Sequence, residues 1–161
     1  MVRSKRWMLV WLLLGVPATS FAQDRPTPRT TFWGFAALGA GATDTDSSFY
    51  AAGIGAALQR GRLVLMARIA SVGPEDTNRL EDFGALVGLG TRPGRWHAMV
   101  AAGVGGVRQS DNGTAAALPV EAQLTWRFTR VVGIGLRGFL SFNRFTDFGG
   151  LTVAAQIGRL W

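Results

Sequence analysis

The sequence predicts an all-β fold, an eight-stranded antiparallel up-and-down transmembrane β-barrel, and three observations carry that reading. An export leader opens the chain. Eight segments then alternate with a period of two, nearly all carrying one bulky, uncharged face. The connections between them are alternately short and long.

The leader combines a compact positive cluster (Arg3, Lys5, Arg6) with an apolar run from Trp7 to Val16, too short to span a bilayer. Pro17 and the small-residue site Ser20-Phe21-Ala22 follow. These are the three regions of a cleavable secretory signal peptide, with cleavage expected after Ala22. Residues 23–161 then form the mature chain, a single-domain length, in which 23–30 reads as a short periplasmic tail and 31–161 as the barrel. The chain contains no cysteine, which excludes lipid attachment at the cleavage site, a disulfide framework and a Cys-type zinc site. Three positive charges of the formal +7 leave with the leader. The remaining arginines are dispersed singly at turns and form no basic helix or stripe, so no nucleic-acid partner is expected.

Period-2 segments fall near 31–41, 48–59, 62–72, 81–91, 95–107, 117–128, 131–142 and 150–161, and no segment has helical periodicity and caps. Alternate residues of a strand point to opposite sides of a sheet. In the sixth segment Leu118, Val120, Ala122, Leu124, Trp126 and Phe128 share one face, against Pro119, Glu121, Gln123, Thr125 and Arg127. In the eighth, Leu151, Val153, Ala155, Ile157 and Trp161 oppose Thr152, Ala154, Gln156 and Gly158. The other segments repeat the scheme, except the first, where Phe32 and Trp33 occupy opposite faces. A water-soluble barrel would carry its charge outside and its bulk inside. Here the glycine-rich face fits a narrow interior and the bulky face does not, so the bulky face is expected to meet lipid. Arg159 is the exception on that face, close enough to a strand end to reach the headgroups.

Short connections around 59–61, 92–94 and 129–130 belong on the periplasmic side. Longer, more polar ones around 43–46, 73–80, 109–116 and 143–149 belong outside. Arginines gather at the short-turn end and carboxylates at the other. Trp33, Trp96, Trp126 and Trp161 are expected to form the periplasmic interface girdle, facing Phe49, Tyr50, Phe83, Phe142, Phe145 and Phe148 at the outer boundary.

With its signal peptide, eight strands, short inner turns and terminal strand from Leu151 to Trp161, the chain resembles the small outer-membrane barrels of the OmpA/OmpX type. The resemblance implies a location in the cell outer membrane, with outer-membrane lipids and the barrel-assembly machinery as partners. In that family an aromatic last residue and the alternating strand before it are the assembly signal, which maps here onto Val153, Ala155, Ile157 and Trp161. Arg159 departs from the pattern.

Within the lumen, parity dictates the pairing of the sixth and seventh segments. Both apolar faces are even-numbered, so opposed residue numbers sum to an even value. A turn centred on Thr129 pairs Trp126 with Val132, Leu124 with Ile134, and Glu121 with Arg137. Glu121 and Arg137 would then meet at mid-height with Arg68 nearby, an ion-pair network that plugs the barrel and fixes its register.

Elsewhere the chemistry is sparse. His97, the single histidine, is followed by Ala98 and Met99 with no serine in the neighbourhood and reads as a structural hydrogen-bonding group. Gly103-Val104-Gly105-Gly106 lies inside a strand and opens no helix, which argues against a phosphate loop. The pairs Asp44 and Asp46, and Glu75 and Asp76, read as solvated acidic surface in preference to a cation site. Asn112-Gly113-Thr114 matches a glycosylation acceptor, but an outer-membrane setting deprives the match of meaning. No catalytic residue, cofactor or metal is expected. The leading function is a structural or surface-interaction role with a filled lumen. The alternatives are an envelope lipid-modifying enzyme, since the resembled family includes lipid A deacylases, and a narrow carrier or pore.

Overall fold

A computed structural model describes residues 29–44, 49–73, 80–109 and 113–161. The expected signal peptide, most of the tail, Asp46, Glu75, Asp76, Asp111 and Asn112 lie outside the described residues. The strands are β1 (Thr30–Thr43), β2 (Phe49–Arg60), β3 (Leu63–Gly73), β4 (Leu80–Gly90), β5 (Trp96–Gln109), β6 (Gly113–Arg127), β7 (Val132–Asn143) and β8 (Phe148–Arg159). All neighbours are antiparallel, and β8 pairs with β1 to close the barrel. Closure removes every sheet edge, the requirement for a sheet in hydrocarbon.

The registers give the barrel its stagger. Registered partners starting at Phe32 run through Leu58, Leu65, Val87, Ala102, Val120, Leu140 and Gly149 and return to β1 at Ala42, ten residues further along. Such a shear tilts the strands by about 40° to the barrel axis. One end, hereafter the turn end, carries the β2–β3, β4–β5 and β6–β7 connections and the end of β8. The loop end carries the other four connections.

The wall is built inside out relative to a water-soluble barrel. Ile54, Leu65, Val87, Val104, Leu136 and Val153 are exposed on the outer face, while the lumen holds two apolar clusters. The turn-side cluster contains Trp33, Phe35, Val64, Met66, Leu86, Met99 and Leu160. The loop-side cluster contains Val72, Leu80, Val107, Phe139 and Phe148. The interior is thus bulkier than its glycines suggest, and those glycines make the space. A Cβ on Gly103 would run into the Ala85 carbonyl oxygen. This is the close strand approach that glycine permits. Pro119 also faces inward, and the β5–β6 ladder skips it, resuming at Ala102–Val120 and Gly105–Ala117 on either side, because proline has no N–H to give.

Two expectations need correction. Trp33 is not a girdle residue: it is 1% exposed and faces the lumen, while Phe32 at 55% exposure takes the lipid side. Phe148 is likewise buried in the lumen, because it shares parity with the inward residues of β8. Trp161 lies beyond β8, half-buried against the turn-side cluster, with Leu160 buried before it. The outer face does carry Trp96 and Trp126 stacked at 6.1 Å between ring centroids, with Phe128 4.4 Å from Trp126.

Replacement of Ile54, midway along β2, by arginine should therefore destabilise the barrel by about 2–4 kcal/mol, against roughly 0–1 kcal/mol for Leu63→Arg at the turn end. Urea unfolding from lipid vesicles measures both. Equal losses would mean that the exposed face is not graded by membrane depth.

Candidate functional site

The two apolar clusters are separated by a layer of charge. Arg68 of β3, Asp82 of β4, Glu121 of β6 and Arg137 of β7 are all buried in the lumen. Arg137 donates two parallel hydrogen bonds to Glu121, Nε to Oε1 and Nη2 to Oε2, both 2.7 Å. This fork on a carboxylate is the strongest ion-pair geometry available to a side chain. Arg68 donates from Nη2 to Asp82 Oδ2 at 3.1 Å, and its Nε lies 3.3 Å from Glu121 Oε2. Two guanidiniums and two carboxylates leave the layer formally neutral, which makes burial of four charges tolerable.

Aromatic rings close the layer from both sides. The Arg137 guanidinium is 5.0 Å from the Phe35 ring on the turn side and 4.8 Å from Phe139 on the loop side, and Arg68 lies 5.3 Å from Phe139. Desolvated cation–π contacts of this kind contribute up to about 2 kcal/mol each. Gly53 supplies the remaining room, since a Cβ there would come within 2.6 Å of Arg137 Nη1. A polar ladder continues toward the turn end. Gln123 donates to Glu121 Oε1 at 2.6 Å, and Gln156 donates to Gln123 Oε1 at 2.9 Å and to Thr125 at 3.0 Å.

Arg68, Glu121 and Arg137, the three residues nominated from sequence, are thus brought together, but not by the expected register. Glu121 stands opposite Phe139, and Arg137 opposite Gln123; Trp126 pairs with Ile134. The parity holds and the pairing lies two residues further on. The reason is the turn: Thr129 Oγ1 accepts hydrogen bonds from the amides of Val131 and Val132, at 3.1 and 3.0 Å, holding residues 128–131 outside the ladder. The long arginine then reaches Glu121 diagonally. Asp82 was missed because it follows Glu81 close to a loop and reads as surface acid. Its even number, shared with the lumen-facing Gly84, was the signal.

A second inward cluster closes the turn end. Trp33 packs edge-on against His97 at 5.4 Å, and the Arg127 guanidinium lies 5.2 Å from the Trp33 ring. Arg127 also donates to the Leu160 carbonyl at 2.6 Å. Gln59 donates to the carbonyls of Gly61 and Thr91, at 2.8 and 2.7 Å, joining two turns. His97 is fully buried here, opposite Thr125. The described serines, Ser71 and Ser141, belong to the loop halves of β3 and β7. At the loop end, Asp44 and Asp147 act locally: Asp44 N donates to Asp147 O at 3.0 Å and Asp147 N to Asp44 Oδ2 at 3.3 Å. Among the described residues no group of three or more His, Cys, Asp or Glu is placed to hold a metal ion.

Solved structures with the same closed eight-stranded architecture include Neisserial surface protein A (NspA), with a TM-score of 0.62 at 13% identity, covering 80% of this chain and 96% of that one. Ail, the attachment invasion locus protein of Yersinia pestis, aligns with a TM-score of 0.55 at 11% identity over 83% of this chain and 99% of its own. The outer membrane enzyme PagL aligns with a TM-score of 0.51 at 16% identity over 78% and 98%. The fold is that of the small outer-membrane barrels. At these identities the likeness is one of fold, and the three barrels include both surface proteins and an enzyme. No family model and no curated protein matches the sequence.

Within this outer-membrane barrel fold, Glu121→Ala and Arg137→Ala should each cost about 3–5 kcal/mol, because each strands a buried charge, and the double variant should lose clearly less than their sum. Unfolding of the four proteins in urea with vesicles measures the coupling. Additive losses would show that the pair contributes nothing jointly.

Proposed function

We propose that this chain is an integral protein of the outer membrane with a sealed lumen, acting as a structural or surface-interaction component of the envelope and not as a conduit. The observation that carries the reading is the neutral charge layer of Arg68, Asp82, Glu121 and Arg137 buried in the lumen between two apolar clusters. Eight strands leave an interior that side chains can fill, and here they include Trp33, Phe35, Phe139 and Phe148. The turn end would face the periplasm. The loop end would be the contact surface.

The assembly reading belongs to the same proposal. Val153, Ala155 and Ile157 are exposed on the outer face of β8, available to an assembly machinery that recognises an alternating apolar strand, while Trp161 braces the turn-side cluster. The lipid-modifying alternative draws no support from His97, whose ring is enclosed in the lumen, away from any membrane lipid.

Purified protein reconstituted in planar bilayers should show no steady conductance. A reproducible stepwise current from the wild-type barrel would overturn the sealed-lumen reading. Deletion of Trp161 should lower the amount of folded barrel recovered from outer membranes; wild-type amounts would make that residue dispensable for assembly.

A further inference from the structure

The outer wall carries a concavity at the turn end whose chemistry the lumen does not use. At the turn end, on the lipid side of the β8–β1 seam, a groove of about 990 Å³ is floored by Phe32, Val131, Ile157 and the half-buried Trp161. Arg29, Arg130 and Arg159 line the same groove, and all three are exposed. They arrive from three separate segments: the residue before β1, the β6–β7 turn, and the last residue of β8. The last two are held together by backbone hydrogen bonds, Gly158 N to Val131 O at 2.9 Å and Leu160 N to Arg130 O at 2.8 Å. Arg159 stands beside Phe32 in the β1–β8 ladder, so one arginine and one apolar floor residue are adjacent by register.

The electrostatic setting is one-sided. Among the described residues, Asp44, Glu81 and Asp147 lie at the loop end and Asp82 and Glu121 in the lumen; no aspartate or glutamate side chain stands at the turn end. An exposed apolar floor rimmed by guanidiniums, at the boundary of a lipid-facing wall, matches an amphiphile with an anionic head and hydrocarbon tails. Guanidinium forks match phosphate oxygens in geometry as well as charge.

We propose that this groove is a binding site for an anionic phospholipid of the periplasm-facing leaflet, its phosphate held by Arg29, Arg130 and Arg159 and an acyl chain laid over Phe32 and Ile157. The assignment rests on the outer wall facing lipid. It explains why Arg159 occupies an otherwise apolar face: its partner is a lipid headgroup. The site would fix the depth of the β8–β1 seam, where the barrel closes.

The test folds the protein into vesicles of equal phosphatidylcholine and phosphatidylglycerol, extracts it in mild detergent and counts retained lipids by native mass spectrometry. Wild type should retain phosphatidylglycerol over phosphatidylcholine by about tenfold or more, as expected for three arginines at an anionic headgroup. The Arg29→Gln/Arg130→Gln/Arg159→Gln variant should lose that preference. A charge-matched control at the other turns, Arg62→Gln/Arg92→Gln/Arg95→Gln, should keep it. Millimolar inorganic phosphate should leave the lipid in place, whereas a site for the free ion would release it. The proposal is overturned by absence of preference in wild type, by equal loss in the control, or by displacement with phosphate. Heat-modifiable gel migration reports folding separately, so failure to insert would count against the membrane reading and not against the groove. Should the triple variant fail to fold, Arg130→Gln alone, outside the strand ladder, must still lower phosphatidylglycerol retention; unchanged retention overturns the proposal.

Discussion

An arginine on the inner face of a narrow barrel has no bulk water to turn to, and the way Arg137 meets that constraint organises the side chains of most of the wall. Its guanidinium needs a carboxylate, which β6 supplies as Glu121; it needs room, which β2 supplies by having glycine at position 53; and it needs flat apolar surfaces, which Phe35 and Phe139 provide from either side. Glu121 in turn engages Arg68, and Arg68 engages Asp82. Each partner is held on a different strand, so the charge layer ties β3, β4, β6 and β7 across the lumen as the backbone ladder ties them around it. Lone buried charges are strongly destabilising while closed sets are tolerated, and a strand slipped by one residue would turn its charged residues to lipid. The layer therefore favours one register.

The same logic explains the apolar clusters. Hydrocarbon outside gives the wall no hydrophobic driving force of its own, so cohesion has to come from the ladder and from the lumen. The lumen responds with packed aromatics and methionines on both sides of the charges, and with Arg127, His97 and Trp33 packed together behind Leu160. The polar ladder Gln123–Gln156–Thr125 spans the space between those two groups. Much of what a water-soluble barrel would bury in its core is here buried in the lumen.

How much of this could be read from residues alone depended on which physical rule was in play. Period-2 alternation is strict in lipid, so the strands and the outward face of β2 to β8 were legible. β1 was not, because Phe32 and Trp33 are both aromatic neighbours and either could face lipid; the structure separates them, burying Trp33 against His97 and Arg127 and leaving Phe32 exposed. Parity gave the even-sum pairing of β6 with β7 but could not give the turn length, which Thr129 decides through its hydroxyl. The ion pair survived that two-residue difference because an arginine side chain is long enough to reach diagonally. Asp82 was hidden by its position beside Glu81, although its parity pointed inward.

The central claim is that Arg68 and Arg137 are buried in an ion-paired layer with Asp82 and Glu121. Hydrogen exchange of arginine side-chain Nε–H groups, followed by NMR on the 15N-arginine-labelled barrel in lipid nanodiscs, tests it most directly. The account expects the Nε–H of Arg68 and Arg137 to exchange far more slowly than those of the exposed Arg60 at the end of β2 and Arg92 in the β4–β5 turn. Exchange of Arg137 as fast as the turn arginines would place it in water and contradict the claim.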